Sequence, residues 1–523
     1  MFDDLNLKGN DKYFILLITL FSTALVAYYI NFNVNLGIYC SDVYVYLLNA
    51  LYYTGTNINS TNTIHLSPII CFLTSLLFRL GMTDKIAILI VTAIFAILGN
   101  IGLYVLLRQY FDEKLSLTGT IIYSTLSLNL TWLANGSLDI PAVSMTIWLV
   151  LFSILAIKEN PKFYRYAFPM FVVGFFTRYT VVLTIPALLL YYVYEKGFKI
   201  DSKDFKYILQ GILISIAITA IILHTIMPMG NGQFGASSQI SDGISGKQGL
   251  EIDPAYNTDS GFYLLNFPNF ISNSNTVLQG NPILNNPTPL SWAILALLFI
   301  GAIVWVKYSE IKLEKKNLIP AGLFAAALLT YTQISSMITI LIVMLGLYLL
   351  GKDSKSKTGY MMAAWILANF IFFSYYNIKV NRYIIPTFPP LIYFIIRSVS
   401  LIHEHVKINA NVIPIILIAL FAIQGFAFTQ TFEPTNDYIQ TDEMSNYIIN
   451  INPDYKDVLI GTYNMRPYHW FLGGNVTGIE SDDTKAIDES NVTYYISDVK
   501  LNNLTNYTEI KNIHKLYLYE KSV

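Results

Sequence analysis

The sequence predicts an all-α polytopic membrane bundle of about 13 transmembrane helices, followed by a small α/β domain at its C-terminal end. Three observations predict it. Of the 523 residues, 54% are hydrophobic and only 13% charged, whereas a soluble domain normally carries about 25% charged residues. Apolar runs recur almost to residue 430, each approaching the roughly 20 helical residues that cross a hydrocarbon core. Beyond residue 430 the pattern turns to short alternating segments bounded by polar residues, the signature of a small soluble fold.

The expected spans lie near 13–30, 85–107, 115–133, 141–157, 166–178, 180–194, 207–227, 289–306, 318–332, 335–350, 359–375, 384–398 and 411–429. Residues 1–12 are polar, include Lys8 and Lys12, and precede a run with no small-residue cleavage site. That run therefore reads as a first membrane helix rather than a cleaved leader. The run 67–80 is too short for a span and reads as a re-entrant or interfacial helix.

Charge sets the topology. With the N-terminus inside, inner segments hold 20 of the 33 Lys and Arg, from Lys8 to Lys407, and outer segments before residue 430 hold six. Basic residues concentrate on the cytoplasmic side of membrane proteins, so the bias selects thirteen spans over fourteen. A multi-pass protein of the cell membrane follows, with a cytoplasmic N-terminus and an extracytoplasmic C-terminal domain. Residues 1–429 form the membrane domain and 430–523 the outer one. Two further outer regions result, 31–84 and 228–288, the second rich in Gly, Asn, Ser and Pro, as lids often are.

In the tail, Thr441-Asp442-Glu443 opens a short helix to about Ile451, and strand-like runs lie at 457–463, 491–498 and 513–519. Its 14 acidic against 7 basic residues make it acidic. N-x-S/T sequons at Asn59, Asn129, Asn135, Asn475, Asn491, Asn503 and Asn506 fall in or beside outer segments. The only cysteines, Cys40 and Cys71, exclude a disulfide framework or a cysteine metal cluster; one bridge or two buried thiols are both open.

Ionisable residues at membrane depth or at the mouth of a bundle are costly and therefore functional candidates. Asp42 opens an amphipathic helix over 42–54 that would lie along the membrane interface. It suits the first turn of that helix, and it equally suits a general base for an acceptor hydroxyl. Asp139 precedes Pro141, so Asp139 or Ser137 could cap the helix that follows. Arg178 and Arg382 sit at outer ends of spans, where either snorkelling or recognition of a phosphate by the guanidinium fork explains an arginine. Lys379 could share the phosphate. His65 opens the short re-entrant run, a position that a structural histidine also fills. No H-x-x-x-H, C-x-x-C or D-x-D near Asp42 suggests a metal, and Walker and Rossmann fingerprints are absent.

These pieces, in this order, resemble the GT-C superfamily of membrane glycosyltransferases over about residues 10–430. The branch resembled is the family 39 and lipid A aminoarabinose transferase type, including dolichyl-phosphate-mannose–protein mannosyltransferase-like and RgtA/B/C/D-like proteins. An acid leads an aromatic-rich helix (Asp42 to Gly55), and a Pro-led short run ends in Gly (Ser67-Pro68 to Leu80-Gly81). A T-D-I-P-like element follows at Leu138-Asp139-Ile140-Pro141. Arg382-Tyr383 through Pro389-Pro390 matches R-Y-h-h-P-h-h-P-P, the most specific of the four. The resemblance implies transfer of a sugar from a polyprenyl-phosphate donor, by inverting direct displacement, to a glycan, lipid or protein acceptor. It implies Asp42 and Asp139 as catalytic carboxylates, and Arg382, Arg178 and Lys379 as groups binding the donor phosphate. His65, Tyr44 and Tyr383 would line the cavity. Membrane lipids are the expected surroundings; no cofactor, metal or nucleic acid is expected. A lone Asp where protein mannosyltransferases carry an Asp-Glu pair disfavours protein hydroxyls as acceptors, and no W-W-D-Y-G motif suggests oligosaccharyl transfer. A transporter or flippase of a lipid-linked substrate is the alternative; it would bring internal repeats, and none is evident.

Overall fold

The computed structural model describes residues 5, 7, 9–37, 41–56, 68–226, 258–272, 287–308, 317–406, 411–431 and 436–522. Helices dominate as far as Thr429, and every one of the thirteen apolar runs is helical. The first ten helices are α1 (Asp11–Leu36), α2 (Ser41–Tyr53), α3 (Pro68–Arg79), α4 (Ile86–Arg108), α5 (Glu113–Thr125), α6 (Ser127–Thr131), α7 (Asp139–Lys158), α8 (Tyr164–Thr177), α9 (Ile185–Lys196) and α10 (Ser202–Ile221). Further membrane-type helices span Pro289–Tyr308, Leu318–Thr330, Ser336–Gly351, Lys357–Tyr375, Phe388–Val406 and Val412–Thr429. Among the described residues, seven helices are long and apolar enough to cross a membrane on their own, so the structure does not fix the count at thirteen.

α7 is the centre of the bundle, flanked by α4 and α8. Small residues let the backbones meet, as is usual where lipid supplies no hydrophobic drive between helices. A Cβ on Gly99 of α4 would stand 2.3 Å from the Ser144 hydroxyl of α7, and one on Gly102 would stand 2.9 Å from the Trp148 ring. At the end of the bundle away from the C-terminal domain, Asp11 is 2% exposed. Its carboxylate accepts from Arg108 Nε at 2.6 Å and Nη2 at 3.1 Å, and from the Tyr104 hydroxyl at 2.6 Å. This pair ties α1 to α4.

Two expectations change. The run 42–54 is a helix, but one buried on all sides between Val43 and Ala50 rather than resting on an interface. It is covered by α3, by the bundle and by the C-terminal domain. The sequons at Asn129 and Asn135 are buried, and both amides donate to backbone carbonyls. Cys71 is buried in α3, and Cys40 lies outside the described residues.

The C-terminal domain is a five-stranded sheet in the order β2-β1-β3-β5-β4, with β1 Ile460–Thr462, β2 Val476–Gly478, β3 Tyr494–Ser497, β4 Tyr507–Ile513 and β5 Leu516–Lys521. β2, β1 and β3 run parallel, and β5 and β4 complete the sheet antiparallel. The expected helix is present as Asn436–Ile451, and the three expected strands correspond to β1, β3 and β5. Two strands, β2 and β4, and two helices, Met465–Leu472 and Thr484–Glu489, go beyond that expectation. The helix Met465–Leu472 faces α2.

The Asp11–Arg108 pair gives a stability test. Replacing Arg108 by Met leaves a buried carboxylate without its cation and should cost about 3–5 kcal/mol, whereas Asp11→Asn combined with Arg108→Met should recover most of it. Thermal unfolding midpoints in detergent measure both, and an unchanged midpoint in the single variant would refute the lock.

Candidate functional site

Four of the predicted residues meet at the end of the bundle that carries the C-terminal domain. Asp42 is the second residue of α2 and Asp139 the first of α7. Asp139 does not cap its helix: Leu138 holds the cap position without a side-chain bond. Instead, Asp139 Oδ1 lies 2.6 Å from Arg178 Nη1. Arg178 stands in extended backbone between α8 and a 3-10 turn at Tyr179–Thr184, so the break between two apolar runs is what turns it inward.

Arg382 joins the two acids. Its Nη2 donates to Asp42 Oδ2 at 2.9 Å, and its Nε stands 3.9 Å from Asp139 Oδ2. The residue lies in a 3-10 turn, Asn381–Thr387, that leads into the Phe388–Val406 helix. Proline chemistry accounts for the turn. Pro386 has no amide to return to the carbonyl four residues back, which is that of Arg382, so a tighter winding replaces the α-turn. The hydroxyl of buried Tyr263, in the described part of the long loop, donates to the Val380 carbonyl at 2.9 Å and accepts from its amide at 3.1 Å. That part of the loop thus anchors the turn.

Aromatic rings support both guanidiniums. Arg382 lies over Trp132 at 5.2 Å and Arg178 over Tyr383 at 5.4 Å, with Tyr383 stacked on Phe373 at 4.8 Å. Such contacts stabilise a desolvated guanidinium by about 1–2 kcal/mol. The 131–139 turn brings Trp132 and Asp139 together through Gly136. That residue has φ +83°, and a Cβ there would stand 2.8 Å from Val43 of α2, so no larger residue fits.

The remaining candidates separate. Tyr44 is buried but packs on Tyr438 and Phe471 of the C-terminal domain at 5.2 and 5.6 Å, so it belongs to the domain contact and not to the carboxylate cluster. His65 lies outside the described residues. Lys379 is 1% exposed, and its amine donates to the carbonyls of Phe373, Ser374 and Tyr376. Three donors meet three carbonyls, so the amine closes the end of the Lys357–Tyr375 helix. Burial pushes its ammonium down to about 8, with Asp259 opposing the shift.

One site residue went unseen in the sequence. Arg466, in the helix Met465–Leu472, donates from Nη1 to Asp42 Oδ1 at 2.8 Å. Two carboxylates thus face three guanidiniums, and the described cluster carries an excess of positive charge. Such a cluster can hold an anion while keeping a carboxylate ionised beside it. Among the described residues no three His, Cys, Asp or Glu side chains are grouped to hold a metal ion.

Lys379→Met separates the two tasks for that amine. It should lower stability by about 1–3 kcal/mol by orphaning buried carbonyls, and leave affinity for a polyprenyl phosphate unchanged in the folded fraction. A tenfold affinity loss at unchanged stability would instead restore the phosphate role.

Residues 65–224 match the family model described as dolichyl-phosphate-mannose-protein mannosyltransferase. No curated protein matches the chain in sequence. In fold the chain is similar to ArnT from Cupriavidus metallidurans bound to undecaprenyl phosphate, with TM-score 0.60, 10% identity and 97% of each chain covered. It is also similar to the archaeal oligosaccharyltransferase AglB from Archaeoglobus fulgidus in complex with an inhibitory peptide and a dolichol-phosphate. There the TM-score is 0.52 at 12% identity, covering 94% of this chain and 70% of the other. The family match covers residues 65–224, and the likeness to ArnT is one of fold over 97% of the chain.

Proposed function

We propose that the chain transfers a sugar from a polyprenyl-phosphate donor to an acceptor hydroxyl at the end of the bundle that carries the C-terminal domain. One observation carries the reading: Arg382 stands between Asp42, 340 residues earlier in the chain, and Asp139, in a fold shared with ArnT. ArnT binds undecaprenyl phosphate and AglB a dolichol-phosphate, and a lipid-linked donor suits a cationic site at the end of an apolar bundle. The bias of basic residues supports the outer face as the location of that site, with the N-terminus cytoplasmic.

In this mechanism Asp42 accepts the proton of the acceptor hydroxyl as its oxygen attacks the anomeric carbon. The anomeric C–O bond breaks, and the electron pair leaves with the lipid phosphate, giving inversion. Arg382 and Arg178 offer charge-assisted donors to the departing phosphate, whose negative charge grows in the transition state. Asp139 orients both guanidiniums through its two oxygens. With guanidiniums supplying this charge, the reaction needs no metal ion in this proposal. The sugar and the prenol are left to the assay, as is the acceptor class: glycan, lipid or protein.

The test uses purified protein in liposomes with labelled polyprenyl-phosphate sugars and candidate acceptors. Asp42→Asn should lower transfer by about 10²–10⁴-fold, the worth of a general base, while polyprenyl-phosphate binding persists. Arg382→Gln should weaken that binding by about tenfold or more, as expected for loss of a charged hydrogen bond. Full transfer by Asp42→Asn would sink the assignment.

A further inference from the structure

Among the described residues, Arg466 is the charged side chain that the C-terminal domain extends to the carboxylate cluster. Asp42 is held at Oδ2 by Arg382 and at Oδ1 by Arg466, and the two guanidiniums are held very differently. Arg382 is 13% exposed, lies over Trp132 and is shared with Asp139. Arg466 is 43% exposed and comes from the helix Met465–Leu472 of the C-terminal domain. Aromatic contacts join the domain to the bundle beside it. Trp470 stacks on Phe78 at 6.1 Å, and Phe471 packs on Tyr44 at 5.6 Å. A cation on the candidate base can therefore serve the site as well as adhesion.

We propose that Arg466 is a positioning residue for transfer: it holds the Asp42 carboxylate ionised and oriented at rest, and yields Oδ1 to the incoming acceptor hydroxyl. The proposal rests on the glycosyl-transfer reading above. In the step, the acceptor proton passes to Asp42 Oδ1 while the acceptor oxygen bonds the anomeric carbon. The anomeric C–O bond breaks and its electron pair departs with the phosphate. A carboxylate gripped by two cations is a weak base, and moving one of them off Oδ1 raises its proton affinity just when the hydroxyl replaces it. Arg382 remains, so the carboxylate keeps its aim.

Other ionisable groups surround α2 on both sides. On the bundle side, Asp139, Arg178 and Tyr383 lie behind Arg382. On the domain side, Tyr438 and Asp442 lie near Tyr44, and His469 shares the helix of Arg466. A pH effect must therefore be read on Asp42 itself.

Difference infrared spectra of ¹³C-aspartate-labelled protein, wild type minus Asp42→Asn, isolate that carboxylate without any need for turnover. Arg466→Gln should raise its titration midpoint by about one pH unit, and Arg466→Lys should leave it near the wild-type value. In the transfer assay, Arg466→Gln should move the acid limb of kcat/KM for the acceptor by the same amount. It should also lower the half-saturating acceptor concentration about two- to fivefold, the worth of one partly exposed ion pair, and leave that of the donor unchanged. An unmoved infrared midpoint overturns the proposal, including the case in which thermal stability falls and Arg466 proves to be merely structural. A shifted midpoint in a protein that transfers no sugar upholds the hold of Arg466 on Asp42 and overturns the glycosyltransferase reading alone.

Discussion

A guanidinium between two carboxylates is the constraint on which this end of the molecule depends. Asp139 is 3% exposed, and an unpaired carboxylate at that depth would be neutralised by protonation or would destabilise the fold. Its two oxygens face Arg178 and Arg382, so the start of α7, the break after α8 and the turn before the Phe388–Val406 helix must converge. Each departs from regular helix at the point of convergence. The extended backbone at Arg178, the proline-driven turn at Arg382 and the positive φ that glycine alone adopts freely at Gly136 are what let the three segments meet. Tyr263 fixes the turn through both backbone groups of Val380, and Trp132 and Tyr383 give the guanidiniums aromatic faces in place of water.

Convergence also explains what the sequence disclosed. Asp42, Asp139, Arg178 and Arg382 were legible because each is an isolated charge in apolar surroundings, where burying it demands a partner. The helices were legible for a related reason, since apolar runs of membrane length can satisfy their backbone only as helices. Lys379 had the same contrast, yet sequence could not tell a phosphate from three helix-terminal carbonyls; both ask an ammonium for the same donors. Nor could it separate an interfacial α2 from one enclosed on every side, because the cover comes from residues some 400 positions away. Arg466 had no contrast at all. It is one of seven basic residues in an acidic domain, on a helix of only eight residues, and its partner stands 424 positions earlier.

The enclosure of α2 bears on how an acceptor could reach Asp42. Val43 through Ala50 are buried throughout, with Tyr44 against Tyr438 and Phe471, and Phe78 against Trp470. Lifting the domain away would return several aromatic side chains to water. Each buries about 150–250 Å² when fully covered, so even partial exposure costs several kcal/mol at about 25 cal/mol per Å². Turning a half-exposed arginine off one carboxylate oxygen costs far less, about 0–1 kcal/mol for a solvent-accessible pair. The difference favours a domain that stays docked while one side chain moves. The aromatic contacts then act as the fixed frame, and the Arg466 ion pair as the movable part.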